Sequence, residues 1–196
     1  TSFDEKRFEQ LLAGLPNGYS ADFYLYVDSG LKTVNSTLDL LNIPRVAYFI
    51  DTHLDFQSRL EMARHFDIVF LAQKGHVELF REQGIRHVFW LPLACDPDLY
   101  PKETLQRDID VSYVGSLSPD EGDKRRKLLS KVAENFPNNY IGKKWPIEMG
   151  EIYARSKIVV NSAINYDLNM RVFEGMASGA LLITDPADSL QELFED

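Results

Sequence analysis

Short apolar runs that alternate with amphipathic segments recur along the whole chain and constrain its fold more than any other feature. Eight runs have the length and the β-branched or aromatic content of strands. They cover residues 23–27, 45–50, 67–72, 87–93, 109–114, 140–141, 158–161 and 180–184. Helical periodicity appears at residues 4–13, 29–41, 56–66, 75–83, 124–135, 146–153 and 170–177. Strands separated by helices predict βαβ units with parallel sheets, and therefore an α/β fold.

The alternation is interrupted once. Residues 94–107 are polar, contain prolines and show no periodicity, so we interpret them as an interdomain connection. The chain is then predicted to form two Rossmann-like βαβ domains, residues 1–100 and 101–196. Right-handed crossovers bring the carboxyl ends of the strands to one edge of each sheet, which is where such folds bind ligands.

Composition excludes several classes of protein. The chain has 196 residues, 44% of them hydrophobic, which predicts a folded protein. Its net charge of −9 argues against a nucleic-acid partner. Cys95 is the one cysteine, so an internal disulfide is impossible and a reducing, cytoplasmic setting is favoured. No apolar run approaches the roughly 20 residues of a membrane span, and we expect no integral membrane segment.

The segment 169–185 reads Asn-Met-Arg-Val-Phe-Glu-Gly-Met-Ala-Ser-Gly-Ala-Leu-Leu-Ile-Thr-Asp and joins a helix to a strand. Met170, Phe173 and Ala177 recur at helical spacing and predict the apolar face of that helix. The run 180–184 is fully apolar, as in strands that are buried on both faces of a parallel sheet.

Three polar residues occupy the first turns of this helix, namely Asn169, Arg171 and Glu174. Helix N-termini in such sheets face the ligand and attract anions. An arginine suits a phosphate, whereas a carboxylate suits the vicinal hydroxyl groups of a ribose. The cluster therefore indicates a nucleotide site. A structural alternative stays open, because Arg171 and Glu174 can also form an ordinary ion pair at a helix start.

The pattern Asn-x-Arg-x-Phe-Glu-x-Met-Ala-x-Gly-x-Leu-Leu-Ile-Thr-Asp resembles the C-terminal-domain signature of GT-B-fold glycosyltransferases. The resemblance is strongest to the group-1-like branch that includes spore-maturation-type proteins. It implies two Rossmann-like domains facing across a cleft, a nucleoside-diphosphate sugar as substrate, no cofactor and no metal. It also implies that Glu174 holds the ribose and Arg171 the diphosphate. The chain is shorter than is usual for this family, so we expect a truncated chain or a compact variant.

One departure from the family pattern concerns the donor sugar. Retaining members of the wider superfamily often carry a second glutamate eight positions before the ribose glutamate. That position is Tyr166 in this chain, with Asp167 beside it. The contact to the donor hexose, and the choice between retention and inversion, therefore stay open.

Further candidates for the donor site come from other strand ends. Gly115 and Ser116 follow a predicted strand, and the resemblance implies that the glycine lets the backbone approach the donor phosphates; glycine also ends many strands for other reasons. Lys143, preferred over its neighbouring lysine, can neutralise a diphosphate leaving group, although a solvated lysine pair is the alternative. Arg125 and Arg126 open the helix 124–135, where a phosphate role would explain them, but we prefer the interpretation that they are solvated.

Acidic and histidine residues follow the strand 45–50. Asp51 and His53 are candidates for the group that serves the acceptor or the donor sugar, and Asp28 is a second candidate. The alternative is a helix N-cap, because Asp51, Thr52 and Asp55 precede a helical run. Asp51, His53 and Asp55 also resemble a metal cluster, but no further ligand occurs at a diagnostic spacing, and we predict no metal site.

Together these observations predict a glycosyltransferase that moves a sugar from a nucleoside-diphosphate donor to an unknown saccharide, protein or lipid acceptor. A non-catalytic nucleotide-sugar-binding or interaction module of the same fold is the alternative, and the missing second glutamate favours it. A nucleotide-sugar epimerase on the same fold is a third possibility.

Overall fold

A computed structural model describes residues 14, 16, 18–28, 38–39, 41–100, 105–117, 123–163, 168–187 and 189–194. The chain divides into two compact units, Thr1–Pro92 and Leu93–Asp196. The predicted helix 4–13 and most of the predicted helix 29–41 lie outside the described residues. None of the helices in the part of the chain that the structure describes has a membrane-spanning length of apolar residues.

The first unit contains a parallel sheet of four strands in the order β1-β2-β3-β4. These are β1 (Tyr24–Val27), β2 (Arg45–Phe49), β3 (Ile68–Leu71) and β4 (Val88–Trp90). Helix α1 (Phe56–Ala63) joins β2 to β3, and helix α2 (His76–Glu82) joins β3 to β4. The core is built from fully buried strand and helix residues such as Phe49, Leu71 and Phe80.

The second unit contains a parallel sheet of four strands in the order β6-β5-β7-β8. Its elements, in chain order, are a 3-10 helix (Pro97–Leu99), β5 (Ile109–Val114), α3 (Asp123–Asn135), β6 (Asn139–Gly142), α4 (Pro146–Ala154), β7 (Ser156–Asn161), α5 (Met170–Ala177), β8 (Leu181–Thr184) and α6 (Leu190–Leu193). Because all four strands are parallel, their carboxyl ends lie at one edge of the sheet.

The predicted fold class is confirmed, since both sheets are parallel and helices alternate with strands. Each predicted apolar run forms a strand, and each predicted helix within the described ranges forms a helix. The arrangement across a cleft, and the roles of residues 1–100 and 101–196, stay predictions.

The predicted packing of the segment 169–185 is wrong in two respects. Helix α5 buries Val172 and Gly175, whereas Met170 is 45% exposed. A Cβ atom at Gly175 would lie 3.1 Å from side-chain atoms of β7 and β8, so this glycine lets the helix lie close to the sheet. Strand β8 is not buried on both faces, because Leu181 and Ile183, which alternate along it, are 63% and 51% exposed.

Candidate functional site

Arg171 is fixed at the carboxyl ends of β5 and β7. Its Nε donates a hydrogen bond to the Val114 carbonyl at 2.9 Å, and its Nη1 donates to Asn161 Oδ1 at 2.8 Å. The guanidinium group also lies over the Tyr113 ring, 4.3 Å from the ring centroid. A cation is therefore held in a defined orientation at the edge where parallel sheets bind ligands.

Gly115 provides the space that Arg171 occupies. A Cβ atom at Gly115 would lie 2.2 Å from Arg171 Nη2 and 2.9 Å from the Tyr113 hydroxyl oxygen. Any larger residue would force the guanidinium group to move. Ser116 follows at the same edge, where its carbonyl accepts a hydrogen bond from the Tyr113 hydroxyl at 3.2 Å. The structure thus places two predicted site residues beside the predicted phosphate arginine.

Asn169 is the N-cap of α5, and its Oδ1 accepts a hydrogen bond from the Arg171 amide at 3.1 Å. Its Nδ2 donates to Asn161 Oδ1 at 3.2 Å, and Asn161 Nδ2 donates to Thr184 Oγ1 at 2.9 Å. Asn161 is buried and connects the ends of β7, β8 and α5. Asn161 is not among the predicted site residues, although a polar residue at the end of an apolar strand is a usable signal.

Glu174 lies one turn after Arg171 on α5 and is partly buried. Burial raises the pKa of its carboxyl group, and the charge of Arg171 only partly opposes that effect. Within the described ranges, no group donates a hydrogen bond to this carboxylate and no salt bridge joins it to Arg171. The ion-pair alternative is therefore wrong, because the arginine is bound to Val114 and Asn161 instead.

Lys143 follows β6 at the same edge and is exposed. The Gly115 amide donates to the Gly142 carbonyl at 2.9 Å, so Lys143 directly follows a residue that contacts the Gly115 turn. Lys144 instead forms an ion pair with Glu148 at 2.8 Å. That Lys143 binds the ligand in preference to Lys144 stays a prediction. The ion pair of Lys144 with Glu148 supports Lys143, because Lys144 already has a partner.

Arg125 differs from the expectation for the start of α3. It is 7% exposed, and its Nε and Nη2 donate to the Ser162 carbonyl at 3.2 and 2.8 Å. Its guanidinium group also lies 5.8 Å from the Tyr113 ring centroid. The prediction that Arg125 is solvated is wrong, because α3 packs on the sheet and its first turn reaches the end of β7. Arg126 is exposed, as expected.

Asp51 and His53 lie at the carboxyl edge of the first sheet, after β2. The Asp55 side chain accepts a hydrogen bond from the Ser58 amide at 3.2 Å and is the N-cap of α1. Asp51 does not cap this helix, so the capping alternative holds for Asp55 and is wrong for Asp51. His53 Nδ1 is buried and has no hydrogen-bond partner among the residues that the structure describes.

Asp28 directly follows β1 and forms an ion pair with Arg59 of α1 at 2.6 Å. Both side chains are almost fully buried, with 4% and 11% of their surface exposed. Replacing only one partner of a buried ion pair is strongly destabilising, because the other charge stays buried without its partner. The contact gives Asp28 a structural role in joining the strand to the helix.

His76, at the start of α2, belongs to a polar network that the sequence analysis did not identify. Its Nδ1 lies 2.5 Å from Thr52 Oγ1, which donates to Gln73 Oε1 at 2.8 Å. Burial lowers the pKa of His76, and the charge of the nearby His53 lowers it further. A histidine at the start of the helix that follows β3 was the available signal. The network joins the ends of β2 and β3 beside Asp51 and His53.

We expect acid to destabilise the protein in part through His76. Its pKa is lower in the folded chain than the usual value near 6.5, so the unfolded chain binds the proton more tightly. The stabilising contribution is complete above pH 6.5 and is lost as the pH falls through the lower pKa of the folded state. Thermal unfolding measured between pH 8 and pH 5 should show a shallower loss of stability for His76→Gln than for the wild type. The control is His87→Gln at an exposed site, and parallel curves for wild type and His76→Gln would contradict the expectation.

Two predictions from the sequence, the absence of a metal site and the open contact to the donor sugar, stay predictions. In the described ranges, no group of three or more His, Cys, Asp or Glu side chains is placed to hold a metal ion. Tyr166 and Asp167, the position of the second family glutamate and its neighbour, lie outside the described residues.

The family match to known proteins lies in the second unit. Residues 124–196 match a family model described as glycosyl transferase-like. Comparison with curated protein sequences gives no match.

Several solved structures share the fold at low sequence identity. Anabaena Alr3699/HepE, in complex with UDP and glucose, is 16% identical over 79% of this chain and 56% of that chain, with a TM-score of 0.54. TarM is 13% identical over 89% of this chain and 43% of that chain, with a TM-score of 0.54. The Streptococcus pneumoniae accessory secretory proteins 1, 2 and 3 give 14% identity, 91% and 43% coverage and a TM-score of 0.51.

The chain spans about half the length of the solved proteins that it matches. Identities this low establish the fold alone. The fold is accordingly that of the GT-B glycosyltransferases, and residues 124–196, which contain Arg171 and Glu174, are similar to a glycosyl transferase-like family.

Proposed function

We propose that the protein is a glycosyltransferase that uses a nucleoside-diphosphate sugar as donor. The observation that carries the proposal is the Glu174 carboxylate, which is partly buried at the sheet edge and accepts no hydrogen bond from the described residues. Removing a carboxylate from water without a partner is costly. The vicinal hydroxyl groups of a ribose supply two donors at the spacing of one carboxylate.

The neighbouring groups suit the diphosphate of such a donor. Arg171 presents a fixed cation, Asn169 caps the N-terminus of α5, and Gly115, followed by Ser116 at the end of β5, leaves the room that the guanidinium group needs. Lys143 supplies a second positive charge. The cations stabilise the diphosphate as it leaves, so this proposal needs neither a metal ion nor a cofactor. UDP is the first donor nucleotide to test, because the related Anabaena structure contains UDP and glucose.

Asp51 and His53 of the first unit are the proposed groups for the acceptor or the donor sugar. An acceptor hydroxyl attacks the anomeric carbon, the bond from that carbon to the diphosphate oxygen breaks, and the hydroxyl proton passes to a base. The buried His53 Nδ1 has no partner among the described residues, and Asp51 is not used as a helix cap. Both groups therefore remain available for this role.

The finer classification follows the sequence motif. We place the chain in the group-1-like branch that includes spore-maturation-type proteins, with a hexose as the transferred sugar and the cytoplasm as the setting. The acceptor is a saccharide, a protein or a lipid.

A thermal-shift series with UDP, GDP, ADP, CDP and dTDP tests the donor site first. A nucleotide that binds only the folded state at a hundredfold excess over its Kd adds about 2.7 kcal/mol to the stability. One of the five is expected to raise the Tm, whereas the absence of any shift would overturn the proposal.

Turnover then separates the enzyme from its alternatives. The glycosyltransferase releases nucleoside diphosphate from the matching nucleotide sugar, by slow hydrolysis alone and faster with an acceptor. Binding without release in any acceptor mixture would instead identify a binding module. A changed sugar that stays attached to the nucleotide would identify an epimerase.

A further inference from the structure

Residues 95–100 belong to the second unit and pack against helix α4. Leu99 and Tyr100 contact the core residues Met149 and Tyr153 of α4. The contact is close, because a Cβ atom at Gly150 would lie 2.1 Å from the Leu99 carbonyl oxygen. Residues 95–100, which the sequence suggested to be part of a connection, are therefore packed into the second unit.

Tyr100 carries an unusual hydroxyl group. The residue is 6% exposed, and its hydroxyl oxygen is buried with no hydrogen-bond partner among the described residues. The neighbouring Tyr153 is also buried, but its hydroxyl donates to the Val114 carbonyl at 3.3 Å. A phenylalanine would fill the site of Tyr100 without leaving a buried polar atom unpaired.

The surroundings of Tyr100 show what the hydroxyl can bind. Burial, followed by the charge of Glu174 and the proximity of Cys95, raises the pKa of Tyr100. Burial and then the charge of Glu174 also raise the pKa of the Cys95 thiol. Tyr100 therefore keeps its proton and is a hydrogen-bond donor beside Glu174. The negative charge of Glu174 disfavours a phosphate there, so a neutral acceptor fits better.

We infer that the Tyr100 hydroxyl donates a hydrogen bond to the nucleoside part of the donor, and that the segment from Cys95 to Tyr100 forms one wall of the nucleoside subsite. This inference rests on the proposed function, in which Glu174 holds the ribose. The site then has two chemically distinct ends. Arg171 and Gly115 take the diphosphate, and Glu174 with Tyr100 takes the uncharged nucleoside.

Removal of one oxygen atom tests the inference. Tyr100→Phe is expected to bind both UDP and uridine about tenfold more weakly in calorimetry. If another nucleoside diphosphate gives the thermal shift, that nucleotide and its nucleoside replace UDP and uridine. Its Tm is expected to equal or exceed that of the wild type, because the lost hydroxyl has no partner in the protein. The matched comparison for stability, Tyr153→Phe, removes a hydroxyl that is already paired with the Val114 carbonyl, so its Tm should fall.

The single cysteine gives a second readout. Cys95 is partly exposed, so N-ethylmaleimide modifies one defined position in the chain. Uridine and UDP are expected to slow this modification in the wild type, whereas pyrophosphate is not.

The outcomes distinguish this inference from the proposed function. If no nucleotide binds the wild type, the proposed function fails. If UDP binds the wild type and Tyr100→Phe equally well, the proposed function stands and the inference is wrong. A loss of affinity for UDP but not for uridine, or protection of Cys95 by pyrophosphate, would assign the subsite to the diphosphate and also overturn the inference.

Discussion

Glu174→Gln is expected to weaken the binding of the donor nucleotide about a hundredfold while leaving the protein at least as stable as the wild type. A carboxylate that accepts two hydrogen bonds from ribose hydroxyls contributes about 3 kcal/mol, and glutamine offers one neutral oxygen in its place. Calorimetry with UDP and with uridine measures the loss. Because the ribose is common to both ligands, both should lose affinity.

Glu174→Gln is expected to weaken binding but not stability. Burial raises the pKa of Glu174, so the folded chain binds its proton more tightly than the unfolded chain does. Ionisation of this group therefore lowers the stability as the pH rises through its raised pKa. Glutamine has no charge to bury, and the Tm of the variant at pH 7 should match or exceed that of the wild type. Nucleotide binding by the wild type should in turn weaken as acid protonates the carboxylate.

The control for this experiment is Glu134→Gln, at an exposed position on α3. It removes the same charge from the same unit and should change neither the affinity nor the Tm. Equal binding of UDP by Glu174→Gln and wild type would remove Glu174 from the site. A large fall in Tm would show that the carboxylate stabilises the fold and would contradict the proposed trade-off between stability and binding.

Much of the fold could be predicted because most strands are short runs rich in apolar, β-branched or aromatic residues and are bounded by polar residues, glycine or proline. The runs at β2, β3 and β5 have no competing helical periodicity, and parallel pairing follows from the helices between them. The ends of α2 and α5 were equally clear, since Gly84 and Gly179 adopt positive φ angles.

Burial within those elements was less predictable. The sequence of α5 offers two apolar faces, and the observed one depends on Gly175, whose missing side chain lets the helix approach β7 and β8. A search for large apolar residues at helical spacing selects Met170 instead, because it ignores glycine as a packing residue. Likewise, the exposure of Leu181 and Ile183 depends on what packs on that face of β8, which the local sequence does not encode.

The candidate site was predictable where one short motif supplies it. Asn169, Arg171 and Glu174 lie within two turns of one helix, so their proximity follows from helical geometry alone. Asn161 and Tyr100 reach the same region from segments that are distant in sequence, and their contribution depends on strand order and on the close contact at Gly150. Tertiary contacts of this kind leave no periodic signal in the chain.

Gly115→Ala is expected to abolish most of the affinity for the diphosphate while sparing the nucleoside. The new methyl group would lie 2.2 Å from Arg171 Nη2, so the guanidinium group has to leave the Val114 carbonyl and Asn161. Loss of a fixed cation at a phosphate costs about 2 to 3 kcal/mol, which corresponds to about a 30- to 150-fold weaker Kd for UDP. Uridine lacks the diphosphate and should bind Gly115→Ala within about twofold of the wild type.

The matched control is Gly142→Ala on the adjacent strand. A Cβ atom there meets only the Tyr140 side chain, at 3.2 Å or more, and leaves Arg171 in place. A double-mutant cycle gives the sharper test, because Gly115→Ala and Arg171→Met should act through the same cation. Each single variant should lose a similar amount of UDP affinity, and the double variant should lose no more than either. Additive losses would show that Gly115 acts on the ligand directly, through its backbone, and that its contact with Arg171 is not the reason for the glycine.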